Sequence, residues 1–282
     1  MLDTTTASKT VTAPPSTPAR VRRRRRLGAN VPSFVISIIS LTLALALWEI
    51  FGREVNPIFA SHPSAIFKVG ITMLATGELF NGFVESMKPL SLGYFLAAAV
   101  GIPLGLVIGR YRVAEAGLGI YITAGYATPL VALIPLFILW FGLGFAVKVA
   151  IVSTLAVFPI AINTWAGAKS VPRTLIELGK TFVGTDCQIM TKIIIPATLP
   201  FIMVGLKLAV GRSIIAIVVA EFFTLLTGLG GIILKAGDNF DTARMFVPVV
   251  VLMALGIGLT WLVGWLEHKV APWQREIADS ER

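Results

Sequence analysis

The stretch "FVISIISLTLALALWEIF", Phe34 to Phe51, decides the class of fold, because it is apolar over the length that a membrane-spanning helix needs. Crossing a hydrocarbon core of ~30 Å takes about 20 mostly apolar residues in a helix. The whole chain shares this character: of its 282 residues 56% are hydrophobic and 14% are charged, and the mean hydropathy is +0.84. A soluble domain would carry roughly a quarter of charged residues, so a soluble enzyme is excluded.

Five further segments are similarly apolar, and the sequence therefore predicts an all-α membrane protein with six transmembrane helices. The expected spans are Phe34–Phe51, Pro89–Gly109, Gly117–Phe141, Val147–Trp165, Thr198–Leu225 and Phe246–Leu266. Ser61–Phe80, between the first two, is amphipathic but too polar to cross, and we expect an external helix lying against the bundle or the interface. Gly101, Gly105 and Gly109 share one helical face, which predicts the close approach of another helix.

The distribution of positive charge predicts the orientation of the spans. Most of the 24 Lys and Arg residues fall in segments that are cytoplasmic when the N-terminus is inside, as the positive-inside rule requires. The basic run Arg22–Arg26 directly precedes the first span, so topology explains it without a nucleic-acid partner. Trp48 and Trp140 fall at predicted outer ends, and Trp165 and Trp265 at inner ends, as in aromatic belts. Both termini are therefore expected in the cytoplasm.

The predicted loop between spans four and five contains "LIELGKTFVGTD", Leu175 to Asp186. Its Gly179-Lys180-Thr181 also ends the phosphate-binding loop of nucleotide hydrolases. A true phosphate loop has the pattern G-x-x-x-x-G-K-[ST] between a strand and a helix. Here Thr174 occupies the first glycine position, and no strand-forming run precedes it. Nucleotide binding by this chain is therefore not expected.

The same loop instead predicts two short helices at the membrane face. Pro172 suits the first turn of the first helix, where its missing N–H would be unpaired anyway, and Arg173 and Glu177 are spaced to pair on one face. Three- and four-residue spacing gives this helix an apolar stripe of Leu175, Leu178 and Phe182. An exposed apolar stripe favours a protein partner; the alternative is packing against the membrane surface or the chain's own bundle.

The second short helix has a start and a stop signal. Gly184 breaks the first helix, and Thr185 with Gln188 forms the capping-box pattern T-x-x-Q. We expect the second helix to end before Pro196 and Pro200, because the residue before a proline disfavours helical backbone angles.

Three pieces of this loop resemble the EAA motif of bacterial ABC importer permeases: Glu177-Leu178-Gly179, Val183-Gly184 and Ile193-x-Ile195-Pro196. In that family Glu-Ala-Ala is followed by a glycine and then by Ile-x-Leu-Pro at fixed distances. The motif glycine falls on Val183, with Gly184 one place later. Because a β-branched residue disfavours positive φ, we expect the turn to shift to Gly184 or to use ordinary backbone angles.

Other stretches are similar to one branch of that family, the permeases for taurine, aliphatic sulfonates, nitrate and related small solutes. They are "IPLFILWFGLG" (Ile134–Gly144), "FPIAINT" (Phe158–Thr164), "GLGGII" (Gly228–Ile233) and "FDTARMFV" (Phe240–Val247). The expected organisation is a disordered basic tail at 1–30, the first span and external segment at 31–84, the ABC-importer core at 85–270 and a cytoplasmic tail at 271–282.

The resemblance implies a permease subunit, not an enzyme, for a small anionic solute. A separate cytoplasmic ATPase carries ATP and Mg²⁺, so this chain binds no cofactor. It also implies a homodimer in a bacterial cell (inner) membrane, fed by an extracytoplasmic solute-binding protein and alternating between inward and outward access. The coupling helix between spans four and five would dock on the ATPase through Glu177, Leu178, Gly179, Thr181, Phe182, Val183, Gly184, Thr185, Gln188, Ile193 and Pro196.

Charged residues within the fifth span need a reason, since a charge at the bilayer centre costs roughly 3 kcal/mol even on lenient scales. We hypothesise that Arg212, together with Lys207, lines the solute path and favours an anion, and that Glu221 lies near the external mouth. The alternative is that Lys207 snorkels to the interface and that Arg212 pairs with another helix or with headgroups.

Two other classes of protein remain open. A stand-alone secondary transporter driven by an ion gradient would carry acidic residues mid-membrane, and only Glu221 supports it. A membrane-embedded enzyme would need a nucleophile–base pair, and the sequence shows neither such a pair nor a metal-ligand cluster of His, Cys and carboxylates.

Overall fold

The computed structural model describes residues 32–271, except for the side chain of Ser33. The predicted tail at 1–30 and the C-terminal tail beyond Ala271 therefore lie outside the described residues. The chain separates into two compact units, residues 1–44 and 45–282. The described part of the first unit is the N-terminal half of the first helix, and all later helices belong to the second unit.

Every regular element between residues 32 and 271 is helical, as the sequence predicts. The α-helices of this part of the chain are α1 Ser33–Glu54, α2 Pro63–Ala75, α3 Glu78–Arg110, α4 Arg112–Ala127, α5 Ile134–Phe141, α6 Phe145–Ser170, α7 Arg173–Thr181, α8 Asp186–Ile189, α9 Ile195–Phe223, α10 Gly228–Asp238 and α11 Thr242–Val270. A 3₁₀ turn at Leu130–Leu133 precedes α5, and a π-helical turn at Met190–Ile194 joins α8 to α9.

Within the described residues, five helices are long and apolar enough to cross a membrane: α1, α3, α6, α11, and α9 with the turns that precede it. A sixth crossing exists only if α4 is counted together with the 3₁₀ turn and α5, and the chain bends by 88° between them. The expected span Gly117–Phe141 is therefore present as two helices with a bend between them and not as one straight helix. Pro129 explains the bend, because it disfavours helical angles at the preceding residue, and Thr128 is extended with ψ 135°.

The region between the first two spans contains a helix, but a shorter one than expected. It covers Pro63–Ala75, and Gly77, with φ +76°, turns the chain directly into α3. The second span therefore begins at Glu78 rather than at Pro89, and the predicted boundary between residues 84 and 85 falls inside α3. Pro89 lies inside the helix, as membrane spans tolerate.

The centre of the bundle is α6, which packs against α3 on one side and α9 on the other. A Cβ on Gly105 would stand 2.5 Å from the carbonyl oxygen of Ala161, and one on Gly109 would stand 2.5 Å from Ala168 Cβ. No larger residue fits there without movement, so the predicted close approach at the glycine face is confirmed. The fully buried side chains Ile151, Ile160 and Ile217 fill the space between these helices.

Candidate functional site

The two faces of α7 differ in chemistry. One face is apolar and exposed, with Leu175, Leu178 and Phe182. The opposite face borders a polar groove, with Arg173, Ile176, Glu177 and Lys180. The apolar stripe is present as predicted. Pro172, however, is the N-cap rather than a residue of the first turn, and Arg173 and Glu177 form no ion pair within residues 32–271.

The turn that ends α7 keeps a left-handed residue at the position of the family glycine. Val183 has φ +55°, its N–H donates to the Lys180 carbonyl oxygen at 2.9 Å, and the Gly184 N–H donates to the Gly179 carbonyl oxygen at 3.1 Å. These two bonds are the Schellman pattern of a helix C-terminus, in which the first residue after the cap is left-handed. The expectation that a valine would avoid positive φ is wrong, because the paired carbonyls hold the turn in place at a cost of about 1–2 kcal/mol.

The second short helix starts as predicted but does not stop as predicted. The Gln188 N–H donates to Thr185 Oγ1 at 3.3 Å, and the Thr185 N–H donates to Gln188 Oε1 at 2.9 Å, so the capping box is confirmed. The helix then continues through the π-helical turn into α9. Pro196 directly follows the π-helical turn, at the second residue of α9, and Pro200 lies within α9.

Packing on the membrane-proximal side fixes this segment, residues 172–194, which is called the α7–α8 segment below. Ile189 and Ile194 are fully buried beside Leu106 of α3 and Ala168 of α6. A Cβ on Gly179 would stand 2.7 Å from Ile193 Cδ1. Among the predicted docking residues, Gly179 and Ile193 therefore hold the segment together, and Gly184, Thr185, Gln188 and Pro196 shape its turns. Leu178, Thr181, Phe182 and Val183 are exposed, as is Glu177 on the groove side.

The charged residues predicted for the solute path are spread along α9. Lys207 forms an ion pair with Glu267 of α11, a partner that neither the solute-path hypothesis nor the snorkelling alternative names. Arg212 is exposed, and its guanidinium carbon lies 5.6 Å from the ring centre of Tyr126, within the range of a cation–π contact. Arg212 also borders a cavity of about 120 Å³ at the bend between α4 and α5, next to Thr128 and Pro129.

Glu221 is fully buried and belongs to a polar network that sequence reasoning did not find. Its carboxylate lies 3.6 Å from Lys148 Nζ, and it accepts hydrogen bonds from Ser86 Oγ and the Gly230 N–H, each at 2.8 Å. Gly228, with φ +76°, lies directly against it, since a Cβ there would stand 2.0 Å from Glu221 Oε1. The partners are far apart in sequence, and the only local signals were single charged residues in apolar stretches, Lys148 among them.

The N-terminus of α10 is closed by side chains of this network. The Gly228 N–H donates to Glu85 Oε2 at 2.9 Å, and the Leu229 N–H donates to Ser86 Oγ at 2.9 Å. Carboxylates at a helix N-terminus satisfy unpaired N–H groups and match the helix dipole. The network thus fastens α10 to α3, α6 and α9.

The part of the chain described holds no group of three or more His, Cys, Asp or Glu that could ligate a metal ion.

Helices long and apolar enough to span a membrane thus surround a packed core, and a segment with an exposed apolar face connects α6 to α9. A family model described as "Binding-protein-dependent transport system inner membrane component" matches residues 101–272. A putative ABC transporter permease protein of Methanocaldococcus jannaschii is 33% identical over 255 residues, which cover 87% of this chain and 94% of that protein. The putative aliphatic sulfonates transport permease protein SsuC of Bacillus subtilis is 28% identical over 253 residues, which cover 89% and 92%.

One solved structure, of the MetNI methionine ABC transporter in an inward facing conformation, is similar in fold. Its TM-score is 0.53 at 20% identity, over 66% of this chain and 93% of that chain.

The chain belongs to the family of binding-protein-dependent transport system inner membrane components, and it is a permease component of an ABC importer. Permease subunits of this family are not catalytic, because a partner ATPase hydrolyses ATP, so the chain is not an enzyme. The resemblance found in the sequence is confirmed. Of the classes that the sequence left open, both the membrane-embedded enzyme and the stand-alone secondary transporter are set aside.

Proposed function

We propose that the chain is the transmembrane subunit of an ATP-driven importer of a small anionic solute. A cytoplasmic ATPase, which carries ATP and Mg²⁺, docks on the α7–α8 segment, and its closure switches the spans between inward and outward access. This chain itself binds no cofactor. The observation that carries the proposal is an exposed apolar surface, called the apolar tip below, formed by Leu175, Leu178, Phe182 and Val183.

The apolar tip has the properties of a docking surface. Phe182 is 79% exposed and Val183 is 88% exposed. Covering a large apolar side chain gains roughly 2 kcal/mol, so a partner that buries the tip binds favourably. The turn at Val183 is strained, and strained backbone concentrates at functional positions. Glu177 lies on the face of α7 opposite the apolar tip. In this proposal it therefore contacts the ATPase at the edge of the docking surface.

The α7–α8 segment is built to transmit force. Ile189 and Ile194 anchor it to α3 and α6, and the π-helical turn continues directly into α9 without a flexible break. A displacement of the apolar tip is therefore passed to a spanning helix. ATP shifts the equilibrium only if the ATPase binds it more tightly in one arrangement of the spans than in the other.

The distribution of positive charge supports the proposed orientation in the membrane, and the family supports the proposed assembly with partner proteins. The excess of Lys and Arg in the N-terminal tail and the α6–α9 connection favours a cytoplasmic location of both termini and of the apolar tip. A second copy of the chain completes the transport path, an extracytoplasmic solute-binding protein delivers the solute, and the complex lies in a bacterial inner membrane.

The class of solute follows from Arg212 and from the relatives. Arg212 is the exposed cation of α9 at the bend between α4 and α5, beside polar Thr128. A guanidinium at this position favours anions, and its planar fork suits sulfonate or nitrate oxygens. The similarity to the aliphatic sulfonates permease agrees with this class.

The docking proposal is tested by reconstituting the permease with its ATPase and measuring ATP hydrolysis and co-purification. We expect Phe182→Ala to weaken ATPase binding about tenfold or more, because the loss of a buried aromatic contact costs over 1.4 kcal/mol. The matched control is Phe59→Ala: Phe59 is 80% exposed but lies in the α1–α2 connection. Equal ATPase binding by the two variants would exclude docking through the apolar tip.

A further inference from the structure

The groove on the other face of α7 is rich in unpaired positive charge. It has a volume of about 480 Å³ and is formed where α3, α4, α6 and α7 end or begin. Five cationic side chains and two carboxylates line it: Arg110, Arg112, Lys169, Arg173 and Lys180, with Glu115 and Glu177. This surface is called the basic groove below.

Within residues 32–271, two of these cations have an acidic partner. Lys169 pairs with Glu115, and Arg110 Nη2 lies 3.3 Å from Asp186 Oδ1. Among the described residues, Arg112, Arg173 and Lys180 form no ion pair. These three cations line one groove, and like charges that share a site repel each other, so an anion bound there would relieve this repulsion.

The groove lies at the ends of α3 and α6, beside Arg110 and Lys169, and both helices have the length and composition of membrane spans. Lipid headgroups border the ends of such spans. Apolar side chains flank its cations in the sequence: Val107 precedes Arg110 by one turn, and Val113 directly follows Arg112, and both are exposed. A ligand with a phosphate head and apolar tails matches this arrangement better than a free anion does.

We propose that the basic groove binds the phosphate of an anionic phospholipid, whose acyl chains lie along the apolar surface of α3 and α4. The guanidinium groups of Arg112 and Arg173 donate to phosphate oxygens, for which their planar, bidentate geometry is suited, and Lys180 adds a point charge. Basic pockets between membrane helices bind anionic lipid headgroups for this reason. The lipid also joins α7 to the end of α3, and it thereby steadies the helix that carries the apolar tip.

Lipid binding is a property of the permease alone. Only the effect of the lipid on ATPase docking, through the helix that carries the apolar tip, rests on the proposed function. Lipid binding is therefore tested on the full-length permease without any ATPase. Purified protein in a neutral detergent is titrated with phosphatidylglycerol, with phosphatidylcholine or with inorganic phosphate. Bound lipid is counted by native mass spectrometry, and thermal unfolding is recorded in parallel.

We expect wild-type protein to retain phosphatidylglycerol and to melt at a higher temperature with it, and to respond to neither of the other two. The double variant Arg112→Gln/Arg173→Gln should bind phosphatidylglycerol about tenfold or more weakly, since it loses the charge-assisted hydrogen bonds of both guanidinium groups to the phosphate. The matched control Lys192→Gln/Lys235→Gln removes two exposed cations outside the groove and should keep the wild-type affinity.

Equal loss of affinity in the two double variants would overturn the proposal, because binding would then follow net charge alone. A response of the wild-type protein to inorganic phosphate equal to its response to the lipid would overturn it as well, since the groove would be a general anion site. Because lipid counting does not require equal stability, a destabilised variant still gives a decisive result.

Discussion

Lys148 Nζ lies 3.6 Å from Glu221 Oε1 in the interior of the bundle, where Glu221 is fully buried and Lys148 is nearly so. The ion pair links α6 to α9, and through Gly230 and Thr227 it also fixes the start of α10. We expect Glu221→Gln to lower the free energy of unfolding by about 3–5 kcal/mol, because it leaves the Lys148 charge buried without a carboxylate. The unfolding midpoint in detergent measures this change.

Two further variants distinguish the effect of breaking this ion pair on stability from the effect of removing any carboxylate. Lys148→Met added to Glu221→Gln should recover a large part of the lost stability, since no unpaired charge remains. Glu54→Gln, at an exposed position of α1, should stay within about 0.5 kcal/mol of the wild type. If Glu221→Gln unfolds at the same midpoint as Glu54→Gln, the pair does not stabilise the bundle.

The left-handed turn at Val183 gives a second prediction. Val183→Gly should stabilise the fold by about 1 kcal/mol, because glycine adopts φ +55° without the steric strain of a Cβ. The neighbouring change Gly184→Ala should do the opposite, since its Cβ would stand 2.7 Å from the carbonyl oxygen of Gly179. Thermal unfolding of both variants provides the measurement, and a lower midpoint for Val183→Gly would contradict the assignment of strain.

The contact between α3 and α6 gives a third prediction. Gly105→Ala should destabilise the fold by about 1–3 kcal/mol, because its Cβ would stand 2.5 Å from the carbonyl oxygen of Ala161 and force the helices apart. Gly117→Ala is the matched control: Gly117 also lies in a helix, and a Cβ there would have no neighbour within 4 Å. Alanine at that exposed position should stabilise slightly, by about 0.5 kcal/mol or more. Equal midpoints for the two variants would exclude tight packing at Gly105.

A fourth prediction concerns the solute path. If Arg212 lines the solute path, Arg212→Gln should reduce uptake of a sulfonate by about tenfold or more in vesicles containing the complete transporter, because the variant removes the positive charge beside the α4–α5 bend. Lys68→Gln, which neutralises an exposed cation of α2, serves as the control for charge. Initial uptake rates are compared at equal protein abundance. Wild-type uptake by Arg212→Gln would remove this residue from the path.

Sequence reasoning succeeded where the determining signal is local. Apolar length located the spans, and the spacing of Thr185 and Gln188 located a capping box, because both depend on residues within one helix or one turn. The bend at Pro129 was equally local and could have been predicted, since a proline disfavours helical angles at the residue before it. The length of the apolar stretch outweighed that signal.

Other features depend on contacts that no local pattern encodes. The bond between Ser86 and Glu221 joins residues 135 positions apart, and only packing brings them together. The caps that Glu85 and Ser86 provide for the N-terminus of α10 are likewise non-local, because residues 143 positions apart meet there. At Val183 the intrinsic preference of the side chain was known, but the two hydrogen bonds that close the turn were not.

The 88° bend between α4 and α5 bears on what the chain can do alone. Where a spanning helix is interrupted, some peptide groups lose their helical hydrogen bonds, and the hydrocarbon core of a bilayer contains no water to replace them. Tyr126, Thr128 and Pro129 are uncovered in the single chain. Such a break is tolerated at membrane depth only against protein or beside an aqueous passage. If α4 and α5 together cross the membrane, a second protein chain or water beside Pro129 would meet this requirement.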